Sequence, residues 1–141
     1  MDKQIIKNII IEKQVAIPSY KLVRRDFLFG DKSNYILVGL RRAGKSYLLY
    51  QDIQTRLNKG EQSAQDILYI NFEDERLSSL KAEELGIILD SYMELYPGKQ
   101  PFIYLDEIQN VEGWEKFARR LVDSQYRVMI TGSNAKMLGK E

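Results

Sequence analysis

The stretch Tyr35-Ile36-Leu37-Val38-Gly39-Leu40-Arg41-Arg42-Ala43-Gly44-Lys45-Ser46 decides the reading of this chain. Tyr35 to Val38 is a near-continuous apolar run, the pattern of a strand buried on both faces. It feeds a G-x-x-x-x-G-K-S octapeptide, after which Leu48, Leu49, Ile53 and Leu57 recur on one helical face until Asn58-Lys59-Gly60 ends the helix. A glycine-rich turn between a strand and a helix N-terminus is a cradle for phosphate. Its glycines let backbone N–H groups point inward without a Cβ in the way. The helix adds unpaired N–H groups and the positive end of its dipole. By chance such an octapeptide arises in roughly one chain in a few hundred of this length, and the flanking strand and helix lower that further.

The cradle assigns Gly39, Leu40, Arg41, Arg42, Ala43, Gly44, Lys45, Ser46 and Tyr47 to cofactor binding. Lys45 is expected to reach the β- and γ-phosphates in a catalytic role, and the Ser46 hydroxyl to ligate Mg²⁺. Arg41 and Arg42 either lean over the phosphates or face solvent.

Outward from this stretch, strands alternate with helices. Ile67 to Ile70, Phe102 to Leu105 and Arg127 to Ile130 read as further buried strands. Leu77, Leu80, Leu85, Ile88, Leu89, Tyr92 and Leu95 mark a helical region closed by Pro97-Gly98, with 77–81 readable as a separate turn. Trp114, Phe117, Leu121 and Val122 line another helix. At the N-terminus Ile5, Ile6, Ile9 and Ile10 give an amphipathic helix from Lys3 to about Glu12, ended by Pro18. The fold class is α/β, a P-loop type parallel sheet with helices on both faces. Residues 1–30 read as an N-terminal helix and lead-in, and 31–141 as the nucleotide-binding core.

Asp106 and Glu107 follow the strand Phe102 to Leu105, at the sheet edge where open α/β folds bind ligands. Asp106 is placed to hold Mg²⁺, and Glu107 to face the γ-phosphate and polarise an attacking water. Thr131, Ser133 and Asn134 follow the fourth strand and are candidate sensors of the γ-phosphate, or else turn and cap residues. Asn58-Lys59-Gly60-Glu61 is a decoy for a guanine-reading signature, since it carries Glu for Asp and lies at a helix end. Glu73-Asp74-Glu75 reads as a solvated loop.

Composition removes other chemistries. Apolar residues at 44% and charged residues at 29% are ordinary for a globular domain. Lys plus Arg at 21 against Asp plus Glu at 20 leave a net charge of +1, which indicates neither nucleic acid nor an anionic membrane as a partner. With no His and no Cys, a Ser-His-Asp triad, His-ligated zinc and disulfides all drop out. The absence of Cys fits a reducing, cytoplasmic setting.

Three runs together resemble a family: G-L-R-R-A-G-K-S from Gly39, Y-L-D-E-I-Q-N-V-E-G-W-E from Tyr104 and I-T-G-S-N-A from Ile130. They are similar to AAA-type ATPases of bacteria and archaea, in which a P-loop domain precedes a separate C-terminal domain. The likeness runs from about Arg24 to Lys136. It implies ATP rather than GTP, Asp106 on Mg²⁺, Glu107 as the catalytic carboxylate, and strand order 5-1-4-3-2. The chain ends at Glu141, after strand four, so strand five and the usual arginine finger of the resembled proteins fall outside it. Loss of such a finger costs about 10³–10⁵ in turnover, which assigns hydrolysis to the complete protein. Strand one is then an open edge, expected to self-associate or to be shielded by Lys3 to Arg25. An ATPase driving a conformational change leads. A nucleotide-dependent switch with little turnover and a P-loop small-molecule kinase follow, the last lacking a recognisable acceptor site or lid.

Overall fold

The computed structural model describes residues 1–23, 29–30, 34–39 and 44–133. Leu40, Arg41, Arg42 and Ala43 of the cradle, and Asn134, lie outside the described residues, as do Arg24, Arg25 and Asp31.

Every strand expected from an apolar run is present: β1 (Tyr35–Gly39), β2 (Ile67–Asn71), β3 (Phe102–Asp106) and β4 (Arg127–Ser133). They form one parallel sheet in the order β1-β4-β3-β2, which is the order the resemblance implied for these strands. Side-chain alternation divides them between two cores. On one face Tyr69, Tyr104 and Met129 pack with Leu49 and Ile53 of α2 (Lys45–Asn58). On the other, Leu68, Ile70, Ile103, Leu105, Val128 and Ile130 pack with α1 (Lys3–Ala16), α3 (Gly86–Leu95) and α4 (Glu115–Asp123). Burial on both faces is the reason β2, β3 and β4 carry unbroken apolar runs. Strand β1, expected to be buried on both faces, alternates half-buried and exposed residues because it is an edge strand, paired among the described residues with β4 alone.

Several boundaries differ from expectation. Helix α1 begins on an Asp2 cap, whose side chain accepts from the Gln4 amide at 2.8 Å, and continues one turn past Glu12. The extra turn carries Gln14, which the apolar pattern could not mark. Its amide donates to the Ile67 carbonyl at 2.9 Å and accepts from the Tyr96 hydroxyl at 2.7 Å, so it is buried with its polar atoms satisfied. Pro18 lies in the short 3₁₀ turn that follows, Ile17–Ser19. The region from Leu77 to Leu95 is broken into 3₁₀ turns at Glu75–Leu77 and Ala82–Glu84 before α3 begins.

Helix α1 packs on β2 and α3, at the edge opposite β1. For α1 this corrects the expectation that Lys3 to Arg25 shields β1, Arg24 and Arg25 lying outside the described residues. Ile6, Ile9 and Ile10 are fully matched by the β2 and α3 apolar surface, with 0–1% exposure, and are not available elsewhere. On β1 itself Ile36 and Val38, on the α4 face, stay 58% and 41% exposed. Ile36 borders an apolar groove of about 400 Å³ with Trp114, Ala118 and Ile130.

The segment Glu73-Asp74-Glu75 is also more than a solvated loop. Asp74 caps the following turn through the Arg76 amide at 2.9 Å, and Arg76 bridges Asp74 and Glu12, tying the end of β2 to α1. Asn58-Lys59-Gly60 is the end of α2, as expected, with Gly60 at φ 77°.

Candidate nucleotide-binding site

The C-terminal ends of β1, β3 and β4 and the N-terminus of α2 meet at one edge of the sheet. Gly44 precedes α2 at φ 88° and ψ 12°, a left-handed conformation that a side chain disfavours, so the glycine requirement is explicit there. Gly39 has ordinary room, since an added Cβ would meet the Lys45 Cδ at 3.8 Å. Lys45, 8% exposed, folds back along the turn and donates from Nζ to the Gly39 carbonyl at 3.2 Å. Tyr47 is 57% exposed, with its ring edge-on to that of Tyr50 at 5.8 Å.

Asp106 ends β3 with no solvent exposure. Its Oδ2 accepts from the Ser46 hydroxyl at 2.7 Å and from the Tyr69 hydroxyl, and its Oδ1 accepts from the Thr131 hydroxyl. Three hydroxyls from α2, β2 and β4 thus satisfy a buried carboxylate that would otherwise be costly. Burial first, and the Asp106 charge second, push the Tyr69 phenol well above its ordinary value, which keeps it a donor.

Glu107, 7% exposed, sits at φ 54° and ψ 45°, left-handed and unusual for a residue with a side chain. Its amide donates to Thr131 Oγ1 at 2.9 Å, and its carbonyl accepts from the Asn110 side chain at 2.9 Å. Its Oε1 accepts from Gln109 Nε2 at 3.0 Å and from the Ser133 hydroxyl at 3.2 Å. Gln109 Oε1 is buried without a partner among the described residues. Thr131 and Ser133 belong to β4, which runs three residues past its apolar run, so they are strand residues and not turn caps. Thr131 braces Asp106 and the Glu107 amide, while Ser133 reaches the Glu107 carboxylate.

Lys45, Ser46, Asp106, Glu107, Thr131 and Ser133, all marked by sequence pattern, are brought together by the fold. Tyr69, Gln109 and Asn110 join them with no role legible in the sequence. Tyr69 carried a weak signal, a polar-tipped ring in a strand of otherwise aliphatic type. Among the described residues no three acidic side chains group into a metal cage. A divalent cation here would rely on Ser46, Asp106, phosphate oxygens and water, which is the donor set Mg²⁺ takes with nucleotides. A cavity of about 780 Å³ opens elsewhere, beside Arg56, Phe102 and Arg127 at the N-terminal ends of the strands. The convergence of hydroxyls and carboxylates locates the chemistry better than cavity size does.

Residues 31–141 match the family described as AAA domain. An uncharacterised protein of Methanocaldococcus jannaschii is 38% identical over 144 residues, covering 100% of this chain and 31% of its own length. An uncharacterised protein of Haemophilus influenzae is 38% identical over 110 residues, 75% of this chain and 26% of its own. The chain therefore spans less than a third of the curated relatives it matches. No solved structure matches it significantly. Among the described residues no helix is long and apolar enough to cross a membrane.

Proposed function

Because the chain belongs to the AAA domain family, we propose that it binds ATP with Mg²⁺ between the Gly39–Ser46 turn and the Asp106–Glu107 pair. In the complete protein it hydrolyses that ATP to drive a conformational change. The observation that carries this reading is the 2.7 Å hydrogen bond from Ser46 to Asp106, which joins the end of the glycine turn to the acidic strand end. Those residues would help hold a nucleotide-bound cation, which would supply positive charge against the phosphates.

The protein groups then have separate tasks. Lys45 exchanges its bond to the Gly39 carbonyl for phosphate oxygens, and the first amides of α2 point their N–H groups at the same charge. Glu107 accepts a proton from a water whose oxygen bonds to the γ-phosphorus as the bond to the bridging oxygen breaks and ADP leaves. Gln109 and Ser133 both hold Oε1 of Glu107, which fixes where its carboxylate points. Thr131 links the two acidic residues through one hydroxyl, so they are set as a unit.

Lys45→Ala tests the reading. The wild-type chain is expected to gain thermal stability with Mg·ATP, and the variant to fold and lose most of that gain. Equal stabilisation of the two would remove Lys45 from the phosphate site and the cradle with it.

A further inference from the structure

Asp106 is gripped from both neighbouring strands. In the register of the sheet Asn71 lies opposite Asp106 and Tyr69 opposite Tyr104, so Tyr69 reaches the carboxylate from one row below on β2. Thr131 reaches its other oxygen from β4. A carboxylate offers about four acceptor positions, and here three are filled. The donors are not equivalent. Ser46 is half-exposed and faces the nucleotide side, where its oxygen is wanted by the cation. Tyr69, 1% exposed, and Thr131, 0% exposed, lie beneath the carboxylate and have no ligand to turn to. Without Tyr69, Oδ2 would be held only by the hydroxyl that must also serve the metal.

We infer that Tyr69 is a positioning residue of this site, orienting the Asp106 carboxylate toward a hydrated divalent cation on the nucleotide. The inference rests on the ATP and Mg²⁺ reading above. The phenol is itself supported. Since its hydrogen goes to Asp106, the contact of 3.3 Å between the Tyr50 and Tyr69 hydroxyls has Tyr50 as the donor. Tyr50 packs edge-on against both Tyr20 and Tyr47. The ring of Tyr69 is thereby fixed between α2 and the sheet, and donors in series strengthen one another.

The test is ATP binding measured by calorimetry with excess Mg²⁺ and again with EDTA, the ratio of the two affinities reporting metal coupling. Tyr69→Phe removes one oxygen and keeps the ring. It is expected to bind ATP in EDTA as wild type does, while the gain from Mg²⁺ falls about tenfold, the usual loss for an outer-shell partner. Tyr92→Phe is the control, a buried tyrosine whose hydroxyl bonds the Gln65 carbonyl at 2.6 Å. It loses stability and keeps the wild-type coupling. A Tyr69→Phe chain with wild-type coupling, whatever its melting temperature, overturns the inference and leaves the ATP reading standing. A wild-type chain whose ATP affinity ignores Mg²⁺ overturns both. If Tyr69→Phe does not fold, Tyr50→Phe decides, with a smaller loss of coupling expected and an unchanged ratio counting against the inference.

Discussion

Glu107 occupies the left-handed region at φ 54°, where a side chain costs about 1–2 kcal/mol. The strain is held by Thr131 on its amide and by Asn110 on its carbonyl. A residue kept in this state by its neighbours is oriented before any ligand arrives, which is where functional sites store strain. Replacing its carboxylate by an amide keeps shape and backbone and removes the proton acceptor. Glu107→Gln in the full-length protein is therefore expected to bind Mg·ATP within about threefold of wild type and to lose about 10²–10⁴ in turnover, the span of general base catalysis. A phosphate-release assay beside a binding titration checks it, and unchanged turnover excludes the role. The chemical type of this residue was legible in sequence from its place after an apolar strand. Its conformation was not, because a left-handed φ at a non-glycine residue is imposed by distant partners.

The elements are joined by surface charge as well as by apolar packing. Helix α1 docks on α3 with Lys3 and Lys7 on the Glu94 carboxylate, at 2.6 and 2.7 Å. The hydrogen bond from Lys3, then that from Lys7, pulls Glu94 from the ordinary 4.5 to about 2. The folded value lies below the unfolded one, so the contribution is complete above pH 4.5 and is lost as pH falls toward about 2. These groups are half-exposed and screened, so the effect is small. Glu94→Gln should lower stability slightly at neutral pH and flatten the acid limb across that window, as read by urea unfolding at several pH values. Glu12 and Asp74 are also lowered, first by hydrogen bonds from Arg76, and act in the same direction. At the other edge β1 presents Ile36 and Val38 to solvent. A parallel strand exposed in this way invites pairing. The 141-residue chain is expected to self-associate in light scattering, and Ile36→Lys to reduce the association while leaving the melting temperature nearly unchanged. A monomeric wild-type chain at high concentration would exclude the edge as an association surface.

Across the whole molecule, one buried charge cluster ties the layers together. Asp52 Oδ2 on α2 takes Arg56 Nε at 3.1 Å, Arg127 Nη1 at 3.2 Å and the Tyr104 hydroxyl at 2.6 Å. Arg127 also donates to the Gly30 carbonyl at 3.1 Å, so the cluster links α2, β3, β4 and the lead-in to β1. Removing the one carboxylate would take from both guanidinium groups their buried counter-charge. Asp52→Ala is expected to destabilise the chain by about 3–5 kcal/mol in urea unfolding, the usual result of breaking a buried pair from one side. A loss under about 1 kcal/mol would mean that water reaches the cluster, as at a surface pair. The sequence by itself determined the four strands, the glycine turn with its helix, and the chemical identities of Lys45, Ser46, Asp106 and Glu107. Those are local properties, set by the spacing of apolar side chains and by a contiguous backbone motif. Only the tertiary structure decided that α1 covers β2 and not β1, that Tyr69 and Thr131 hold Asp106, and that Asp52 pairs with Arg127. Each of those contacts joins residues far apart in sequence. They exist because parallel pairing places β3 between β2 and β4, a neighbourhood that no single stretch of the chain encodes.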